Sequence, residues 1–235
     1  MATVILVRHG RTTANASGVL AGRTAGVKLD KTGREQAGRT AQRLSAVPVV
    51  AVISSPLERC RQTSRSILER QTGVAKLHVD AGITECDYGQ WQGRALSDLA
   101  AEDLWSVVQT QPSAATFPGG ESLAAMQARA IDSIRRRDGA LEGEHGPDAV
   151  WVAVSHGDII KSILADALGM HLDLFQRLNV DPASVSIVRY GTTRPAVLAV
   201  NTHAGDLSWL GASTGSADAQ VGGGAGPEAP VSVRS

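Results

Sequence analysis

Three short runs of β-branched and apolar residues constrain this chain more than any other feature: VILV at 4 to 7, VVAVIS at 49 to 54 and VWVAVS at 150 to 155. None alternates polar with apolar residues. Each is therefore apolar on both sides, which suits a central strand in a sheet covered on both faces. Segments with helical starts lie between them, so the expected fold is α/β: a three-layer α/β/α arrangement around a mostly parallel central sheet.

The helical starts can be read from their caps. Thr32 with Glu35 makes a capping box ahead of Ala37, Ala41 and Leu44. Ser55 as N-cap, Pro56 at the first helical position and Glu58 as box partner begin a second helix, which Gly73 should end. A further helix is predicted from about Glu121 to Arg137, followed by a Gly/Glu/His-rich loop, and another from Asp158 to Leu168. SVSIVRY (184 to 190) and AVLAVNTH (196 to 203) read as a terminal pair of strands. Residues 89 to 120 have mixed polarity and two prolines, and read as a lid-like insertion with short helices. Residues 211 to 235 are small and polar without periodicity, the pattern of a disordered tail after a single domain over 1 to 210.

Composition removes several classes of function. Lys plus Arg and Asp plus Glu number 23 each, so no global field recruits nucleic acid or an anionic membrane, and any anion specificity must be local. Cys60 and Cys86 are the only cysteines, too few for a disulfide framework and without the paired spacing of a zinc site. A reduced, cytoplasmic setting fits them. The first apolar run follows no basic segment, and no later run approaches membrane-spanning length.

Ligands of doubly wound sheets collect beyond the carboxyl ends of the strands. At that edge VILV delivers Arg8 and His9, VVAVIS delivers a helix start containing Arg59, and VWVAVS delivers His156. Two arginines and two histidines meeting there make a cationic pocket whose planar, bidentate donors suit phosphate. Arginine beside His9 disfavours its imidazolium and keeps the ring neutral and nucleophilic, so that His9 can take a phosphoryl group and split transfer into two displacements. The leaving alkoxide needs a proton and the incoming water must lose one, so a single carboxyl group can serve twice. Glu85 and Asp87, in GITECDYGQWQG, both offer one, and chemistry does not choose between them.

These residues resemble the histidine phosphatase superfamily, also called the phosphoglycerate mutase-like family, over most of residues 3 to 205. Its Arg-His-Gly is Arg8-His9-Gly10, its following asparagine is Asn15, and its Ser-Pro-Leu-x-Arg-x-x-x-Thr element runs from Ser55 to Thr63 with Arg59 as the phosphate arginine. Its acid/base glutamate before Gly-x-Trp-x-Gly is Glu85, and its Ser-His-Gly histidine is His156. PGGES (118 to 122) resembles the branch that holds small phosphatases. The resemblance implies a phosphoglycerate mutase-like fold and hydrolysis of small phosphate monoesters through phosphohistidine at His9, with catalytic His9, Glu85 and His156. Phosphate is then held by Arg8, Asn15, Arg59 and His156, without metal or cofactor. A small phosphorylated metabolite is the implied partner, and a homodimer is consistent with the family.

Between Gly89 and Glu121 the only cation is Arg94, against Asp98, Glu102 and Asp103, which favours a phosphatase over a cofactor-dependent mutase, whose longer insertion is basic. A phosphomutase is the alternative, and a phospho-ligand-binding module without turnover is a third reading. Arg23 and Arg94 read as solvated loop cations, with contact to the non-phosphate end of the substrate as the sharper assignment. Gly211 to Gly215 matches a serine-hydrolase elbow, but no histidine follows His203, so the match is set aside.

Overall fold

The computed structural model describes residues 2–73, 75–191, 193–203, 221, 222 and 224. In chain order the elements are β1 (Thr3–Arg8), α1 (Thr13–Ala16), α2 (Lys31–Leu44), β2 (Ala51–Ser54), α3 (Glu58–Leu68) and β3 (Lys76–Val79). They continue with α4 (Leu96–Leu99), α5 (Asp103–Thr110), α6 (Leu123–His145), β4 (Val150–Ser155), α7 (Gly157–Ala167), β5 (Val185–Arg189) and β6 (Ala196–Thr202).

The strands form one sheet in the order β3-β2-β4-β1-β5-β6. β1 pairs in parallel with β4, and β2 in parallel with both β4 and β3, while β5 runs antiparallel to β1 and β6 antiparallel to β5. The three apolar runs are the three central parallel strands. Their side chains alternate between two separate cores: Val4, Leu6, Ile53, Trp151 and Ala153 face the core shared with α6 and α7, whereas Ile5, Val7, Val52, Val152 and Val154 face the core with Ala41, Leu44, Cys60 and Ile67. Both faces are thus covered, the three-layer arrangement expected from continuous apolar runs. Register brings the chemistry together. Arg8 stands opposite Ser155, and the pairing continues beyond the strands, with the His9 N–H donating to Ser155 O at 3.0 Å and the Ser55 N–H to Val154 O at 3.0 Å.

Some element starts differ from expectation. α2 is capped by Asp30, whose carboxylate accepts from the Gly33 N–H at 2.6 Å, so the helix begins before the Thr32/Glu35 pair that was to cap it. α3 begins after Leu57 with no side-chain cap and ends at Leu68, short of Gly73. Ser55 lies three residues ahead of it, and its hydroxyl meets His156 and accepts from the Leu57 N–H at 3.4 Å rather than from a helical N–H. α6 runs on through Gly139 and Gly143 to Gly146 at φ +90°, where a loop was expected. Asp138 is buried in that stretch and accepts from Trp151 Nε1 at 2.8 Å, which ties the extension to β4.

Gly33 shows how tightly α2 is pressed onto the loop after β1: a Cβ there would lie 1.9 Å from Arg11 O. The insertion contains the expected short helices, yet Trp91, Leu99, Val108 and Phe117 are buried in the main core. Trp91 stacks on Trp105 with centroids 6.2 Å apart and meets Phe117 edge-on at 5.2 Å. Among the described residues no helix is long and apolar enough to cross a membrane. Gly211 to Gly215 and most of the tail expected at 211 to 235 lie outside the described residues; Val221 and Gly222 are described and pack at the site below.

Candidate active site

The chain following β1 and β2 opens onto one cavity, with His9, Asn15, Arg59 and Glu85 in its wall, while Arg8 and His156, the latter directly after β4, are fully buried and do not line it. His9 follows β1 directly. Its Nδ1 lies 2.8 Å from Gly10 O, and since a carbonyl only accepts, Nδ1 carries the proton. Arg59 Nε then donates to His9 Nε2 at 3.2 Å, so the lone pair of a neutral imidazole lies at the guanidinium. Burial, then Arg59, then Arg8 hold the His9 pKa well below the usual histidine range. The neighbouring arginine on β1 is thus a real but smaller cause than burial.

Arg59 is the hub. Its Nη2 donates to Gly22 O at 2.8 Å and to His156 Nδ1 at 3.2 Å, while Nη1, among the described residues, is buried without a hydrogen-bond partner. A buried donor left open costs free energy comparable to a lost hydrogen bond unless an acceptor fills the place. Arg8 is fully buried, with Nη1 donating to Val180 O at 2.8 Å, and burial lowers its pKa while Asp181 opposes that shift.

His156 faces His9 edge-on with ring centroids 5.2 Å apart. Its Nδ1 accepts from Arg59, so its Nε2 carries the proton toward Ser55 Oγ at 2.7 Å. Cys60 Sγ lies 3.4 Å from the same nitrogen, and burial pushes this thiol up to about 12. Burial, then Arg59, then His9 hold His156 neutral as well.

The structure separates the two carboxylates that chemistry alone left equal. Glu85 lines the cavity, with Oε2 3.8 Å from His156 Nδ1 and Oε1 accepting from the Cys86 N–H at 2.9 Å. Burial raises its pKa to about 7, Asp158 adds to the rise, and Arg59 opposes it. Asp87 instead holds its own loop, accepting from the Gly89 N–H at 3.1 Å and pairing with Arg23 at 3.4 Å.

Asn15 lines the cavity and also caps α1: its Oδ1 accepts from the Thr12 N–H at 3.1 Å. Arg23 and Arg94 are partly exposed loop cations, as expected, but each is also ion-paired. Arg94 pairs with Glu102, which also accepts from Trp91 Nε1 at 3.0 Å. Arg23 pairs with Glu121 at 3.0 Å, and its Nε donates to Glu85 O at 2.9 Å. Arg129, which sequence reasoning passed over, donates to the same carbonyl at 3.1 Å and to Glu121 Oε2 at 2.9 Å. Ser55 as a histidine partner, and Asp158 with Tyr88 OH at 2.7 Å, were also passed over. Ser55 could have been found from its place directly after a central strand. Arg129 sits in the second turn of α6, 44 residues from its target, and no local pattern marks it. Among the described residues no group of three or more His, Cys, Asp or Glu side chains is placed to hold a metal ion.

Known proteins are similar to this chain in sequence and fold. The family model of the histidine phosphatase superfamily (branch 1) matches residues 4–203. Phosphoserine phosphatase 1 of Hydrogenobacter thermophilus is 30% identical over 207 residues, covering 86% of this chain and 92% of that protein. Phosphoglycerate mutase-like protein 4 of Arabidopsis thaliana is 30% identical over 166 residues, covering 69% of each chain. Among solved structures, a mycobacterial glucosyl-3-phosphoglycerate phosphatase complexed with VO3 superposes with a TM-score of 0.75 at 27% identity, covering 85% of this chain and 98% of that one. With a match over most of its length and the fold to go with it, the chain belongs to branch 1 of the histidine phosphatase superfamily.

Proposed function

We propose that the chain is a phosphatase that hydrolyses small phosphate monoesters through a phosphohistidine at His9. The carrying observation is the neutral His9 whose Nε2 lone pair meets Arg59, beside a buried Glu85 raised to about 7. In the first displacement Arg59 Nε gives up its hydrogen bond to His9 in favour of a phosphoryl oxygen, His9 Nε2 attacks phosphorus in line with the freed lone pair, the bond from phosphorus to the ester oxygen breaks, and protonated Glu85 gives its proton to the departing alkoxide. In the second, water attacks the phosphohistidine, ionised Glu85 takes the water's proton, and Nε2 leaves with the electron pair. Arg8, Arg59, His156 and Asn15 hold the equatorial oxygens, and the open Arg59 Nη1 gives one of them a donor.

The substrate is a small phosphorylated metabolite, and two free buried cysteines support a cytoplasmic location. The test is release of inorganic phosphate from 4-nitrophenyl phosphate in the presence of a chelator. Turnover that survives the chelator and disappears in His9→Ala supports the reading. Conversion of a phosphoester into its isomer, with no phosphate released, would establish a mutase instead.

A further inference from the structure

The cavity contains an occupant from the chain itself. Val221, Gly222 and Gly224 line it together with His9, Arg59 and Glu85, although the family match ends at residue 203. Val221 is buried, 1% exposed. The Gly222 N–H donates to Asp158 Oδ2 at 3.0 Å, across 64 residues of sequence, beside the bond from Tyr88 OH to the same oxygen. The seat favours glycine: φ is +74°, and a Cβ would lie 2.7 Å from Leu20 Cδ1, which would have to shift. With the segment in place the cavity keeps about 20 Å³ free, room for about one water and far less than a phosphoryl group with an alcohol attached.

Asp158 is fully buried, with Lys161 Nζ 3.8 Å from Oδ1, and Oδ1 has no hydrogen-bond partner among the described residues. If Val221–Gly222 departs, a buried carboxylate loses a donor, and whatever replaces the segment must return one or bear the cost. We propose that Val19, Leu20, Tyr88, Leu96 and Asp158 form a leaving-group subsite for an apolar group carrying an N–H or O–H donor, and that Val221–Gly222 fills it in the free chain and competes with substrate. The inference rests on the phosphatase reading, because it assigns the subsite to the alcohol of a phosphate monoester.

Hydrogen exchange of the Gly222 amide tests the seat without turnover, using the full-length His9→Ala chain. The amide should exchange at least about tenfold more slowly than in an unstructured chain, and lose that protection when 3-hydroxybenzyl phosphate saturates the protein. An amide unprotected in the free chain overturns the seat. One still protected with the ester bound overturns the competition and makes the segment a fixed wall. Calorimetry on the same chain should show 3-hydroxybenzyl phosphate binding about tenfold more tightly than 3-methylbenzyl phosphate, which is near-isosteric and has no donor there, and Gly222→Val tightening both. Equal affinity for the two esters would overturn the donor requirement. If neither ester binds while the free amide is protected, the phosphatase reading fails and the subsite with it, but the seat stands.

Discussion

His9 keeps Nε2 unprotonated because Gly10 O takes the proton on Nδ1, and the imidazole stays neutral because burial and two guanidiniums oppose its charge. The acid limb of kcat/KM therefore lies below the ordinary histidine range, while Glu85, which must be protonated for the first displacement, sets an alkaline limb near its pKa of about 7. A pH profile should show activity highest on the acid side of neutrality and falling above it; a rate still climbing at alkaline pH would remove Glu85 from this role. Glu85→Gln should lower kcat on an alkyl phosphate by roughly two to four orders of magnitude. It should do so less on 4-nitrophenyl phosphate, whose leaving group departs without a proton. The same burial has a stability consequence of definite sign. A carboxyl with its folded pKa raised contributes stability that is fully present below its unfolded pKa and is lost as pH rises through about 7. Glu85→Gln should therefore be more stable than the native chain at alkaline pH, by roughly 1–3 kcal/mol in chemical denaturation, and show no such gain in acid. At this scale the sequence was legible where residues follow strands directly, as Arg8, His9 and His156 do. It was illegible where a side chain acts across the fold: Arg23 and Arg129 meet on one carbonyl only because the loop of Glu85 passes between a turn and the second turn of α6.

The helix starts show why short motifs mislead. Thr32 and Glu35 have capping-box spacing, but Asp30 reaches Gly33 N first and also pairs with Arg11 at 2.8 Å, so the box position falls inside α2. Asp30→Ala should cost about 1 kcal/mol or more in chemical denaturation. Glu35→Ala, at an exposed helix position, should stay within about 0.5 kcal/mol. The reverse order would restore the capping box. The strands were far more legible than the caps, because a run apolar on both faces has one stable place in a sheet. A cap depends on which of several adjacent polar side chains reaches the first free N–H.

Across the whole molecule, the parallel pairing of β1, β2 and β4 sends three strand ends to one edge, and the site follows from that topology. The insertion is part of this body, since Trp91 is 1% exposed in the main core. Trp91→Ala should destabilise the entire domain by about 3–5 kcal/mol, with one cooperative transition by fluorescence and by circular dichroism. Two separated transitions would mean that the insertion folds apart from the rest. That integration was hidden in the sequence because mixed polarity over 89 to 120 conceals which few residues point inward. The buried thiol beneath His156 has a consequence of another kind. Thiol oxidants and alkylating agents attack the thiolate, and Cys60, pushed up to about 12 and fully buried, offers almost none at neutral pH. Cys86 is likewise buried, with its thiol held protonated. Neither sulfur reacts until the protein opens, so the rate at which iodoacetamide labels them is a clock for opening of the fold, and activity should outlast peroxide for as long as that clock runs slowly.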